Sequence, residues 1–384
     1  MEYMSDYHYI ILVIILFILY IKNKNNNTKT EKWAFGIIFA FIGFRACVVG
    51  ADTYEYTNFF LGYFSHYDDN RIEPLFRIYI EWPSKLLKSE LFFILLNTVC
   101  TVIPLFVFIN KFSKNPTLSL ILFFLLEIYI TYFVALRQIL AISVLLIAYT
   151  YLIEGKRNKW IIYISLSIIA FFMHNSSIIA SLMYVVIKYI PLNNKRIDIF
   201  VVIISAMVSI VFDIFNVNRL IGLFLSLNAN FLDGRYSDYF QDDLYSLDTH
   251  SISAYLNLLK HAIMSIIVIM FIKKEQISHP FFKLYILSVV LLNLFQEIPM
   301  LHRLNVYFQI FSLITITWAI TPCEYSFLQK RFSILPILIL LYFSYTFIRS
   351  EILYDKYSSL RLHPYYFFWE DYKDHPSVTG KFNK

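Results

Sequence analysis

Apolar residues run along this chain in long blocks separated by short polar connectors. Neither the two-residue alternation of a half-buried strand nor the narrow stripe of an amphipathic helix organises most of them. Residues 91–109, LFFILLNTVCTVIPLFVFI, rise about 1.5 Å each as a helix, enough to cross about 30 Å of hydrocarbon. Comparable blocks fall near 7–21, 33–49, 118–132, 134–153, 160–173, 176–190, 199–215, 254–272, 284–295, 304–320 and 334–348. They predict an all-α fold: a polytopic integral membrane protein with about 10–12 transmembrane helices.

The connectors alternate in kind. One set is short and basic: KNKNNNTKTEK from Lys22, KFSKN from Lys111, EGKRNK from Glu154, NNKR from Asn193, KKEQ from Lys273 and QKR from Gln329. The other is long or acidic, and includes residues 50–90 and 216–253. Basic loops stay cytoplasmic, so the two long loops and both termini are expected on the extracytoplasmic side. Two apolar stretches are too long for one crossing. Residues 118–153 would measure about 54 Å as a single helix and residues 160–190 about 46 Å, so the chain must turn within each. The polar breaks are residues 131–138, around Arg137, and His174-Asn175-Ser176-Ser177. A third is QEIPMLHR, residues 296–303. Residues 1–350 thus read as one transmembrane helical domain, and 351–384 as a polar, aromatic tail with no evident fold.

Composition agrees. Of 384 residues 58% are hydrophobic and only 16% charged, where a soluble domain carries about a quarter charged. The net charge of +6 is explained by loops that set orientation, without a nucleic-acid partner. Cys47, Cys100 and Cys323 form neither a disulfide framework nor a metal spacing. The first apolar block follows acidic Glu2 and Asp6 and lacks a small-residue cleavage site, so it reads as a retained helix.

Candidate chemistry gathers on the extracytoplasmic side: Asp52 in GADTYEY, Arg71, Glu73 and Arg77 in RIEPLFR, then Arg137, His174 and Arg303. Arginine recurring at helix ends is costly in a membrane and must be paired or hydrated. Its planar guanidinium donates two hydrogen bonds at once to phosphate oxygens and stays charged. Such arginines facing carboxylates suit a pyrophosphate leaving group and a carboxylate base. The plainer alternative is that loop arginines anchor at the interface, that His174 ends a helix, and that Asp52 and Glu73 only bond the loop. Glu127 is a candidate partner for Arg137. No Walker loop, dinucleotide fingerprint, HExxH or GxSxG is present, and no cluster suits a divalent ion.

GADTYEYTNFF, RIEPLFRIYIEW, the long run from ALRQILAISVLL through AFFMHNSSIIA, and HRLNVYFQ together resemble, in order and spacing, the signatures of EpsG-like proteins. That branch groups with Wzy-type O-antigen and capsular polysaccharide polymerases. The resemblance implies a bacterial inner-membrane glycosyltransferase that joins repeat units carried on undecaprenyl pyrophosphate, at the periplasmic face and without nucleotide sugar or other cofactor. Asp52, Glu73, Arg137, His174 and Arg303 match the family's recurring polar positions, and Arg71 and Arg77 flank the EP pair. The expected partners are the undecaprenyl-pyrophosphate-linked oligosaccharide, the bilayer and a chain-length regulator.

Chemistry then suggests roles. Arg137 and Arg303, with Arg71 and Arg77, would hold pyrophosphate, and Glu73 or Asp52 would take the attacking hydroxyl's proton, with His174 as alternative base or orienter and no metal. A lipid-linked oligosaccharide flippase and a membrane O-acetyltransferase are the competing readings. Two large extracytoplasmic loops favour the polymerase over the flippase, and the acetyltransferase lacks a visible acyl-donor motif. Orientation is directly testable. Reporters fused near Lys159 or Lys274 should read cytoplasmic and one near Tyr245 extracytoplasmic, and swapped signals would move the whole site to the other face.

Overall fold

The computed structural model describes residues 7–22, 28–63, 72–155, 157–190, 194–214, 252–295, 299–321, 335–353 and 359–372, with 375 and 378. Among these there is no strand, only an isolated bridge between Arg45 and Phe367. Apolar helices fill the rest, so the chain is an all-α membrane protein. Two helices are long and apolar enough to cross a bilayer, Glu90–Phe112 and Leu136–Glu154, and a bent pair supplies a third. Shorter apolar helices accompany them.

Contacts divide the chain into two compact units, 1–182 with 334–384, and 183–333. The first begins with α1 (His8–Lys22), α2 (Thr28–Gly43), α3 (Ala51–Leu61), α4 (Pro74–Ser84) and α5 (Glu90–Phe112). Next come α6 (Pro116–Leu125), a 3-10 turn (Ile128–Ile130), α7 (Thr131–Val134), α8 (Leu136–Glu154) and α9 (Lys159–Met173). α10 (Ser177–Tyr189) starts in this unit and runs into the next.

The break expected at residues 131–138 is present at Ala135, between α7 and α8, and the chain also turns earlier. α6 ends at Leu125, and the chain bends by 76° into the 3-10 turn and α7. Glu127 makes the corner in the left-handed region at φ 56°. A second, smaller interruption at Ala135 then starts α8. The segment around residues 50–90, expected as a loop, contains α3 and α4. Tyr56 and Phe60 of α3 pack with Phe76 and Ile80 of α4, Phe93 of α5 and Leu136 and Leu140 of α8 in one buried cluster.

The tail is also built into this unit. After α17 (Leu335–Ile352), residues 359–372 lie along α1, α2 and the start of α3. Tyr9 Oη donates to Leu362 O at 3.2 Å, Tyr365 Oη to Phe41 O, and Ala46 N to Tyr366 O at 2.8 Å. A buried polar triad fastens it. Tyr129 Oη donates to Glu351 Oε1 at 2.5 Å, and His363 Nε2 lies 3.0 Å from Glu351 Oε2. Most important, Gly50 N donates to Arg361 O at 2.7 Å and Ala51 N to Leu360 O at 3.1 Å. The first N–H groups of a helix lack partners of their own, and α3 has no side-chain cap at Gly50. The tail carbonyls take that place.

The second unit holds α11 (Lys195–Ile214), α12 (Ile252–Phe271), α13 (Lys274–Ile277), α14 (Pro280–Phe295), α15 (Pro299–Gln309) and α16 (Ser312–Ile320). Its buried polar groups bridge helices. Lys283 Nζ donates to Ile190 O at 2.6 Å and Asn293 Nδ2 to Ser205 Oγ at 2.8 Å.

Gly50 is held at φ 96°, and a Cβ there would stand 2.5 Å from Phe133 O. Gly50→Ala should therefore cost on the order of 1–3 kcal/mol through backbone strain alone. Gly36→Ala, where a Cβ meets nothing within 4 Å, should be neutral or stabilising. Thermal denaturation of the two variants in detergent checks the contrast.

Candidate active site

Four helix starts meet at one place in the first unit, and each carries a polar residue from an interruption in the apolar pattern. α3 begins with Ala51 and Asp52, α4 follows Glu73, α8 begins with Leu136 and Arg137, and α10 follows His174 to Ser176. Pro74 explains the start of α4, because its fixed φ and missing N–H suit a first helical position. Glu73, just before it, is extended at φ −63° and ψ 142°, and makes no cap bond to its own helix. Its carboxylate is spent elsewhere.

That carboxylate is the hub. Glu73 is only 3% exposed. Oε2 accepts from Arg137 Nη1 at 2.8 Å. Oε1 lies 3.0 Å from His174 Nδ1 and accepts from the Asn175 backbone N–H at 3.4 Å. Burial alone would push the Glu73 pKa up, but the His174 hydrogen bond and the Arg137 guanidinium hold it down at about 2. The acid is thus ionised and saturated with donors.

Asp52 does a different job. Its Oδ2 accepts from the Leu136 backbone N–H at 3.0 Å, so a carboxylate from α3 caps α8. This fixes the first turn of α8 and with it Arg137, whose guanidinium lies 5.9 Å from the centre of the Tyr56 ring. α3 is itself pinned from below. Thr53 Oγ1 donates to Phe133 O at 3.1 Å and accepts from Arg45 Nη2 at 3.0 Å. The fully buried Arg45 guanidinium lies 4.6 Å from the centre of the Phe133 ring.

Asp52, Glu73, Arg137 and His174 are therefore brought together within the first unit. Arg77 points away along α4, where its Nε donates to Glu81 Oε1 at 2.7 Å. Arg71 lies outside the described residues, as do Arg219 and Arg235 in the second long loop. Arg303 belongs to the second unit, exposed on α15. Glu127 is not the partner of Arg137. It bonds the Ser350 side chain, and Glu73 takes Arg137 instead. Among the described residues no group of three His, Cys, Asp or Glu side chains could hold a metal ion. Sequence reasoning missed the Asn175 N–H, which carries no side-chain signal, and Arg45. A lone ionisable residue inside the apolar run FIGFRACVVG is the signal that points to Arg45.

The arrangement has a clear chemical capacity. With Nδ1–H donating to Glu73, the neutral imidazole of His174 carries its lone pair on Nε2. That nitrogen has no protein hydrogen-bond partner among the described residues. Helix N-termini carry partial positive charge and attract anions, and Arg137 adds a full charge where they meet. An ionised carboxylate orients an imidazole beside a cationic corner.

The pH dependence of this hub has a defined sign. The folded pKa of Glu73, about 2, lies below the unfolded value of about 4.3. Its contribution is thus complete above about pH 4.3 and is lost as pH falls toward 2. Glu73→Gln should unfold at a lower temperature than the wild type at pH 7, with a gap that narrows only below about pH 4.5. A gap independent of pH would show that the charge contributes nothing.

The sequence profile of the EpsG family matches residues 32–365, most of the chain and everything from α2 to the tail's Tyr365. Among curated proteins and among solved structures, nothing matches.

Proposed function

The chain belongs to the EpsG family, and from that membership we propose that it is a polysaccharide polymerase: a glycosyltransferase that joins undecaprenyl-pyrophosphate-linked repeat units at the extracytoplasmic face of the bacterial inner membrane. The observation that carries the chemistry is the Glu73 carboxylate shared between His174 and Arg137. It favours His174 as the base, with Glu73 as its orienter and Asp52 as the clamp on α8.

In the proposed reaction a hydroxyl of the acceptor unit attacks the anomeric carbon of the donor sugar. His174 Nε2 takes the hydroxyl proton as the new glycosidic bond forms. The bond from the anomeric carbon to pyrophosphate breaks, and the leaving phosphate keeps the electron pair. Arg137 and the positive ends of α3, α4, α8 and α10 stabilise the charge that develops there, without a metal ion. Arg303 is a second candidate for the pyrophosphate. A flippase would need only the cationic corner. An oriented imidazole with its second nitrogen unengaged supports the enzyme reading.

The test compares two arginines in a deletion strain complemented at matched protein level. Lys in place of Arg137 keeps the charge but lacks the planar fork that can serve Glu73 and a phosphate in fixed geometry, and loss of such a donor typically costs about 10²–10³-fold in rate. Arg77 pairs with Glu81 one turn on at the half-buried surface of α4, a pair that Lys can replace. Arg137→Lys should yield glycan of a single repeat unit, and Arg77→Lys near-normal ladders. Full-length ladders from Arg137→Lys would end the pyrophosphate assignment. Absence of any surface glycan in the deletion strain itself would point to the flippase.

A further inference from the structure

α4 has two apolar faces, and the buried cluster uses only one of them. Phe76 and Ile80 point inward and are at most 1% exposed. On the opposite side Ile78, Trp82 and Leu86 are 56%, 68% and 75% exposed, with Leu87 beside them at 52%. Positions 78, 82 and 86 are spaced four apart, so while the helical path continues they form one row. Water would not retain such a row of large side chains. Nor can α4 span a membrane, since its 11 residues measure about 16 Å against about 30 Å of hydrocarbon.

The residues between α4 and α5 identify the medium that covers this face. Lys85 and Lys88, both exposed, flank Leu86 and Leu87. Ser89 then caps α5, its Oγ accepting from Phe92 N at 3.5 Å. α5 is a 23-residue apolar helix long enough to cross a bilayer, with its own exposed row at Val99, Ile103 and Val107. The end of the α4 row thus stands within a few residues of the mouth of a span, at the level where acyl chains meet phosphates.

We propose that α4 and the turn after it form an interfacial helix lying in the leaflet where α5 begins, with Ile78, Trp82 and Leu86 among the acyl chains and Lys85 and Lys88 at the lipid phosphates. Amphipathic helices with aromatic and aliphatic residues on one face and lysines beside it bind membrane surfaces in this way. Glu73, immediately before α4, is thereby held at headgroup level. The inference rests on the membrane character of the chain and not on the polymerase reading, so either can fail without the other.

Two measurements on the full chain in phospholipid nanodiscs test it. In a background with Cys47, Cys100 and Cys323 replaced, nitroxides are attached at Ile78→Cys, Trp82→Cys and Lys85→Cys. Labels at 78 and 82 should be more accessible to dissolved oxygen than to a water-soluble nickel chelate, and the label at 85 should show the reverse order. A preference for the nickel chelate at both 78 and 82 would overturn the proposal. The second measurement needs no label. The emission lost on Trp82→Phe should be quenched in nanodiscs whose phospholipids carry bromine high on the acyl chains. If that emission is unaffected by bromine, the helix stands in water and the proposal fails.

Discussion

The Glu73 carboxylate joins three segments that nothing else in their local sequence would bring together. Taking a carboxylate out of water costs several kcal/mol unless charge and hydrogen bonds replace the solvent. Glu73 obtains both from residues on either side of the broken apolar runs, Arg137 from α8 and His174 with Asn175 from the turn before α10. The start of α4, the start of α8 and the link from α9 to α10 are thus fixed by one buried charge. Removing Arg137 or His174 leaves the buried carboxylate with fewer donors. This constraint explains why the corner is polar in a unit whose core is mostly Phe, Tyr, Leu and Ile.

The same constraint separates holding from reacting. A carboxylate with three donors is a poor proton acceptor, because accepting a proton means giving up its partners. Asp52 is engaged with the Leu136 N–H. Of the three candidate bases read from the sequence, His174 alone has a ring nitrogen directed away from the hub. In the proposed reaction the two carboxylates serve as framework for an imidazole and a guanidinium.

How far the sequence could carry this varies with the physics of each part. Hydrophobic blocks reveal the helices, because lipid forces every crossing to satisfy its own backbone and to expose apolar side chains. Asp52, Glu73, Arg137 and His174 are legible for the converse reason, since polar groups that interrupt such blocks must be paired. Glu127 shows the limit. The corner after α6 falls at Glu127, a lone carboxylate in an apolar stretch with neither Gly nor Pro, and a single acidic residue does not announce a left-handed turn. α3 and α4 leave no such mark because helices of 11 residues are too short to show as an apolar block of spanning length. The tail's fold depends on pairings such as Tyr9 with Leu362 and Tyr129 with Glu351, 353 and 222 residues apart, which no window along the chain can see.

Those distant pairings have a consequence for the order of assembly. A ribosome feeds α1 to α9 into the membrane well before it reaches residues 360 and 361, whose carbonyls receive the first two N–H groups of α3. Contacts so far apart in sequence form late, after the loop between them has closed. Until then the top of α3 lacks its cap, and Asp52 holds α8 from a helix start that is fastened only through Thr53 and the buried cluster. A nascent or prematurely terminated chain can therefore insert all of its early helices and still lack an organised Glu73, Arg137 and His174 corner. The corner is completed near the end of synthesis, which separates insertion of the protein from its maturation.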